Sequence, residues 1–290
     1  MTRHAWLLAL VLPIAAAPAL AQAAQDKKTD KPQKVQAPRW PEMSKADQSK
    51  GRKWLKLLAS KKDKTHQKAS DELLALGVGM GDLMFKRMTD SPRNFNERIV
   101  FVLEQILKPS HSPLIALHAS HKSTFARRYV FKKLAMFGQD GLTPVFKKAR
   151  KDKDIEVSYY ASLGLVKTAR DFDALDQIFK RCEEEWGEIG DEVSRYLADS
   201  RSEKFCPWIY KKLASKEITE HIALLRVMRS IAPKESKSLV RRFLDSEHSI
   251  LKKEAINTLR VIVDGEKPIP LKKLTVFQII KMAKEWKVRI

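Results

Sequence analysis

The sequence predicts an all-α fold, an α-solenoid of about seven two-helix units, and three observations carry that expectation. The first is composition: of 290 residues 43% are hydrophobic and only 10 are glycine. Leu, Ala, Lys, Glu and Arg dominate, all good helix formers, and few segments alternate apolar and polar as a half-buried strand does. The second is periodicity. Leu251, Ala255, Ile256, Leu259, Ile262 and Val263 share one helical face, as do Phe125, Tyr129, Val130, Leu134 and Phe137. The third is recurrence. The apolar anchors Phe85, Ile115, Val145, Ile178, Ile209, Val240 and Ile280 follow one another at spacings of 30, 30, 33, 31, 31 and 40 residues, the last gap holding the Gly265–Pro270 insertion. A period near thirty with two helices per unit is a solenoid pattern, because one pair alone cannot bury its apolar face.

The elements follow in chain order. Arg3, the apolar run Ala5–Leu12 and the small-residue site Ala19-Leu20-Ala21 read as a cleavable export signal over residues 1–21, cut after Ala21. The run is short and broken by Pro13 and Pro18, and no later stretch is long and apolar enough to span a bilayer. The expected location is therefore periplasmic or secreted. Residues 22–43, rich in Lys, Gln, Pro and Ala, read as a flexible tether, with Trp40 packing at its end. The repeat domain is expected over 44–290, opened by a capping helix near 45–60. The first helices of the units are expected at 66–76, 95–107, 124–137, 155–168, 188–198, 217–231 and 249–263. Their second helices are expected at 80–88, 113–120, 142–150, 172–185, 205–214, 235–244 and 271–287. Ser112-Pro113 and Thr143-Pro144 look like an N-cap followed by a first helical position.

This pattern of repeat length, helix pairing and first-helix segments such as Ala69–Leu76, Tyr160–Leu165 and Ala255–Leu259 resembles the HEAT-like helical repeat family over about residues 60–290. The resemblance implies a right-handed superhelix with the second helices lining its concave surface. It says little about function, since the matching positions are generic apolar ones.

Charge is the feature beyond packing. Lys and Arg number 56 against 35 Asp and Glu, a net of +21. Five second helices carry a basic doublet after an apolar residue: Lys86-Arg87, Lys147-Lys148, Lys180-Arg181, Lys211-Lys212 and Arg241-Arg242. On the concave surface that the resemblance implies, these doublets stack into a cationic ridge suited to an acidic protein or a polyanion. The plainer reading is a solvated face with cations favoured near helix C-termini.

No catalytic motif is found and no cofactor is expected. Cys182 and Cys206 are the only cysteines; their helices should run parallel, offsetting the sulfurs by about two turns and arguing against a disulfide. His111, His118 and His121 cluster without a third ligand at metal spacing and read as helix-end histidines. Gly77-Val78-Gly79-Met80-Gly81 lacks the strand and the GK[ST] ending of a phosphate loop and reads as a turn. Glu183-Glu184-Glu185 reads as a solvated acidic helix end. The leading expectation is a non-catalytic binding scaffold. The alternative is a nucleic-acid-binding protein, since HEAT-like DNA glycosylases use a basic concave face with aromatic residues, and Trp186, Trp208 and Trp286 are faintly similar; the export signal opposes a genomic role. A lyase accessory for bilin-bearing proteins rests on fold analogy alone.

Overall fold

The computed structural model describes residues 37–290, and Pro38–Ile290 form one unit. The export signal and residues 22–36 of the tether lie outside the described residues. Every regular element is helical, with no strand among the described residues. In chain order the helices are α1 Lys45–Leu58, α2 Asp63–Leu76, α3 Gly81–Arg87, α4 Arg93–Ile106, α5 Ser112–Ala116, α6 Thr124–Phe137 and α7 Thr143–Ala149. They continue as α8 Ile155–Ala169, α9 Phe172–Tyr196, α10 Cys206–Leu213, α11 Ile218–Ile231, α12 Lys237–Arg241, α13 Ser249–Leu259 and α14 Val276–Arg289.

The periodic segments lie where the spacing places them, because the apolar stripe of each is also its buried stripe. In α6 the buried set includes Tyr129, Val130 and Leu134; in α13 it includes Leu251, Ala255, Ile256 and Leu259. Two expected helices, 172–185 and 188–198, abut as the single run α9, which bends at Glu185 where the backbone leaves helical geometry (φ −126°, ψ 20°). The second helices are shorter than expected at α5 and α12, each five residues long.

Five of the longer helices, α1, α6, α8, α9 and α14, start with side-chain caps at positions the periodicity does not mark. Ser44, Ser123, Asp154, Asp171 and Thr275 each accept a hydrogen bond from a first-turn backbone N–H. The short helices α3, α5, α7, α10 and α12 start differently, through a 3-10 turn such as Pro109–His111, Asp140–Leu142 or Glu203–Phe205. That turn already sets the backbone at Ser112 and Thr143 into the helical region. Their hydroxyls therefore do not cap; they donate back to the carbonyls of Pro109 (2.7 Å) and Asp140 (3.3 Å). Gly77 ends α2 with φ +68°, a conformation open to glycine without a Cβ clash.

Packing runs from neighbour to neighbour. Helix α2 packs on α4, α6 on α8, α8 on α9, α9 on α11, α11 on α13 and α13 on α14. The short helices pack on the long helix that follows them: α3 on α4, α5 on α6, α7 on α8, α10 on α11 and α12 on α13. One apolar cluster joins them from Leu55 to Trp286, with Phe85, Phe131, Phe146, Phe179, Phe205 and Trp208 wholly enclosed. Burying each such side chain is worth about 1.5–3 kcal/mol. Trp40, just ahead of α1, lies within 6.0 Å of the rings of Phe85 and His118 and over Gly81, where any Cβ would collide with its indole. The last residues before α1 are thus packed onto the helices rather than free of them.

Candidate functional site

The basic doublets stand late in α3, α7, α10 and α12 and midway along α9. From α7 onward these elements touch in chain order, and α3 touches the segment beyond α5. Phe85 of α3 stacks on His118, just beyond α5, at 4.4 Å. Arg150, after α7, reaches Asp171 at the start of α9 (3.5 Å). Asp176 of α9 accepts hydrogen bonds from Trp208 (3.0 Å) and Lys212 (2.8 Å) of α10. Arg242, after α12, donates to the carbonyl of Leu213 at the end of α10 (2.7 Å).

The doublet cations are of two kinds, held and exposed, and Lys180-Arg181 and Lys211-Lys212 split between them, successive residues on a helix pointing about 100° apart. Arg181 turns inward, held by Glu156 (2.9 Å) and Glu185 (2.7 Å). Lys212 lies 4.4 Å from the centre of the Phe179 ring as well as on Asp176. Burial pushes the Asp176 carboxyl up, but the hydrogen bonds from Lys212 and Trp208 outweigh it and hold the group below its ordinary value. Arg242 closes the C-terminus of α10, and Arg241 donates to the Ile290 carbonyl. These four cations, expected in the ridge, are tied into the fold. Lys86 keeps only an exposed pair with Asp82 one turn earlier (2.6 Å), a contact worth a few tenths of a kcal/mol. Arg87, Lys147, Lys148, Lys180 and Lys211 are exposed and make no ion pair among the described residues.

Two hollows flank α7. The larger, about 820 Å³, lies between α5, α6, α7 and the turn before α8, and includes Lys122, Lys148, Lys151 and Lys153. Lys151 and Lys153 were outside the predicted ridge; the run of cations from Lys147 to Lys153 is the signal that points to them. A second hollow, about 610 Å³, shares Ala116 and Val145 with it.

The remaining candidates resolve into structure. His111 Nδ1 accepts the backbone N–H of Lys108 (3.1 Å), and His121 Nδ1 accepts that of Ser123 (3.1 Å), both at helix starts. His118 is buried on Phe85, and that burial holds its pKa down to about 4. Among the described residues no group of three His, Cys, Asp or Glu gathers to hold a metal ion. Cys182 and Cys206 are free thiols, and burial pushes that of Cys182 up to about 12. Trp208 and Trp286 are 2% and 3% exposed, so neither offers a stacking face, and Trp186 lies partly buried beside Arg226 at 5.3 Å. In the acidic segment Glu185 serves Arg181, while Glu192 accepts from Tyr160 (3.1 Å) and lies 3.6 Å from Lys132. No helix among the described residues is long and apolar enough to cross a membrane. In comparisons with known proteins, no protein-family model, no curated protein and no solved structure matches the chain.

Proposed function

We propose that the chain is a non-catalytic scaffold, a right-handed α-solenoid of HEAT-like two-helix repeats, that binds an acidic protein or polyanion outside the cytoplasm. The observation that supports it is the pair of doublets that divide, Lys180-Arg181 and Lys211-Lys212: in each the first cation is left exposed, while the second is held by a carboxylate. A need for solubility alone gives no reason for that repeated split. Lys147, Lys148, Lys180 and Lys211 stand unpaired on α7, α9 and α10, which follow one another through the contacts at Asp171 and Asp176. An array of unpaired amines repels itself, and a polyanion relieves that repulsion while releasing its own counterions. The neighbour-to-neighbour packing of the helices supports the solenoid reading. The signal over residues 1–21 supports the location.

Binding of poly-L-glutamate at about 50 mM and 200 mM salt tests this. Reversal of Lys147, Lys148, Lys180 and Lys211 to glutamate is expected to weaken binding at least about tenfold and flatten the salt dependence. Lys212 is left intact because reversing it would also break the contact with Asp176. Unchanged binding by the reversed protein would sink the proposal. The buried tryptophans leave duplex binding to rest on charge alone, so a DNA duplex is expected to bind without sequence preference and to dissociate at physiological salt.

A further inference from the structure

The two hollows beside α7 share Ala116 and Val145 in their linings, so they lie side by side as a two-part trough along α5 and α7. Its origin is local. Helix α5 stops after five residues, and the chain turns through His118, Ala119 and Ser120 before α6 begins. Ala116, Ala119 and Ala149 are too small to fill the space that the shortened helix leaves.

The trough has two unlike ends. At one, Lys122, Lys148, Lys151 and Lys153 are exposed and have no ion-pair partner among the described residues. The carboxylate among them, Asp152, is already taken by both ends of the Arg127 guanidinium (2.9 and 3.1 Å). His121 adds no charge at neutral pH, since burial lowers its pKa. The floor there is Phe131 and Ala149. At the other end Pro113, Leu142, Val145 and Leu117, the last 52% exposed, give apolar surface among the polar Ser110, Ser112, Gln139 and Asp140. Four amines without counter-charge at one end, and apolar surface beside the carboxylate of Asp140 at the other, fit one kind of ligand. It carries carboxylates at one end and an apolar side chain a few residues away, at about 3.3 Å per extended residue.

We propose that this trough is the docking site for an extended acidic peptide segment of a partner protein, anchored by an apolar side chain in the recess beside Leu117. The proposal rests on reading the cationic face as the binding surface, and narrows it to one seat. A nucleic acid is the poorer fit, because Phe131, the aromatic residue in the lining, is 1% exposed and gives bases nothing to stack on.

The test uses the full chain and a fluorescein-labelled peptide of four glutamates, a glycine and two leucines, followed by anisotropy at about 50 mM salt. Lys151→Glu with Lys153→Glu, and separately Ala116→Trp, are each expected to weaken binding at least about tenfold, as is replacing the leucines with serine. Lys180→Glu with Lys211→Glu, on the ridge but outside the trough, is expected to change it by less than about threefold. The proposal is overturned if the two lysine pairs weaken the peptide equally, or if serine replaces leucine at no cost. It is overturned also if no peptide binds while poly-L-glutamate still depends on Lys180 and Lys211; the ridge reading then stands alone. Loss of poly-L-glutamate binding in every form, including wild type, removes both.

Discussion

His118 lies buried against the ring of Phe85, with Trp40 on another side and Asp82 3.6 Å from its Nε2. Loss of water around the ring outweighs the pull of Asp82 and keeps the imidazole neutral down to about pH 4. The unfolded chain protonates the same group near pH 6.5. Below that value the unfolded state therefore binds more protons than the folded one, and stability falls as the pH drops from 6.5 towards 4. The loss from this residue is on the order of 2–3 kcal/mol by pH 4. His118→Phe, which keeps the aromatic stack, is expected to show a smaller drop in Tm between pH 7.5 and 4.5 than wild type; an equal drop would put the acid sensitivity elsewhere. At this scale the sequence marks the cations but not their use. Whether Lys180 or Arg181 faces outward depends on carboxylates at Glu156 and Glu185, and their meeting requires the packing of α8 on α9.

Among elements, α7 and α8 show how close approach is bought by a missing side chain. A Cβ on Gly164 would come within 2.5 Å of the Phe146 ring, which is fully buried. Gly187, in α9, has nothing within 4 Å of the same position. Alanine gains about 1 kcal/mol over glycine in a helix interior, whereas forcing apart a packed contact costs about 1–3 kcal/mol. Opposite signs follow: Gly164→Ala is expected to lower the unfolding free energy and Gly187→Ala to raise it by about 0.5–1 kcal/mol in urea titrations. Most helices were legible from the 3.6-residue spacing, since their apolar stripes are what they bury. The lengths of α5 and α12 were not. Ser112-Pro113-Leu114-Ile115-Ala116-Leu117 reads as a longer helix, and only the turn into α6 ends it early. The trough exists because of that early end, which is why the alanines beside it carried no signal.

Across the whole molecule, the ties link neighbours. Glu254, 2% exposed, holds Arg226 (2.7 Å) and Arg229, and so joins α13 to α11. Removing one member of a buried ionic set costs about 3–5 kcal/mol, because the others stay buried without a partner. If coupling passes only between adjacent units, that loss should remain near its origin. Hydrogen exchange of Glu254→Gln is expected to quicken in α11–α14 and to be unchanged in α1–α6; uniform quickening would mean a single cooperative body. The 3.6-residue spacing marks both α11 and α13 as helices, but not which side chains join them.

The division of labour between the two basic residue types has a chemical consequence. Guanidinium groups do much of the internal work: Arg98 binds the carbonyls of Leu58 and Ser60, Arg127 binds Asp152, Arg201 binds the carbonyls of Arg229 and Val261, and Arg242 binds that of Leu213. Of the outward set, Lys147, Lys148, Lys180 and Lys211 are primary amines, with Arg87 the one guanidinium. Acetic anhydride acylates amines and spares guanidinium. Mild treatment is expected to abolish poly-L-glutamate binding while the far-ultraviolet circular dichroism keeps its helical form, so that adhesion and architecture come apart under a single reagent.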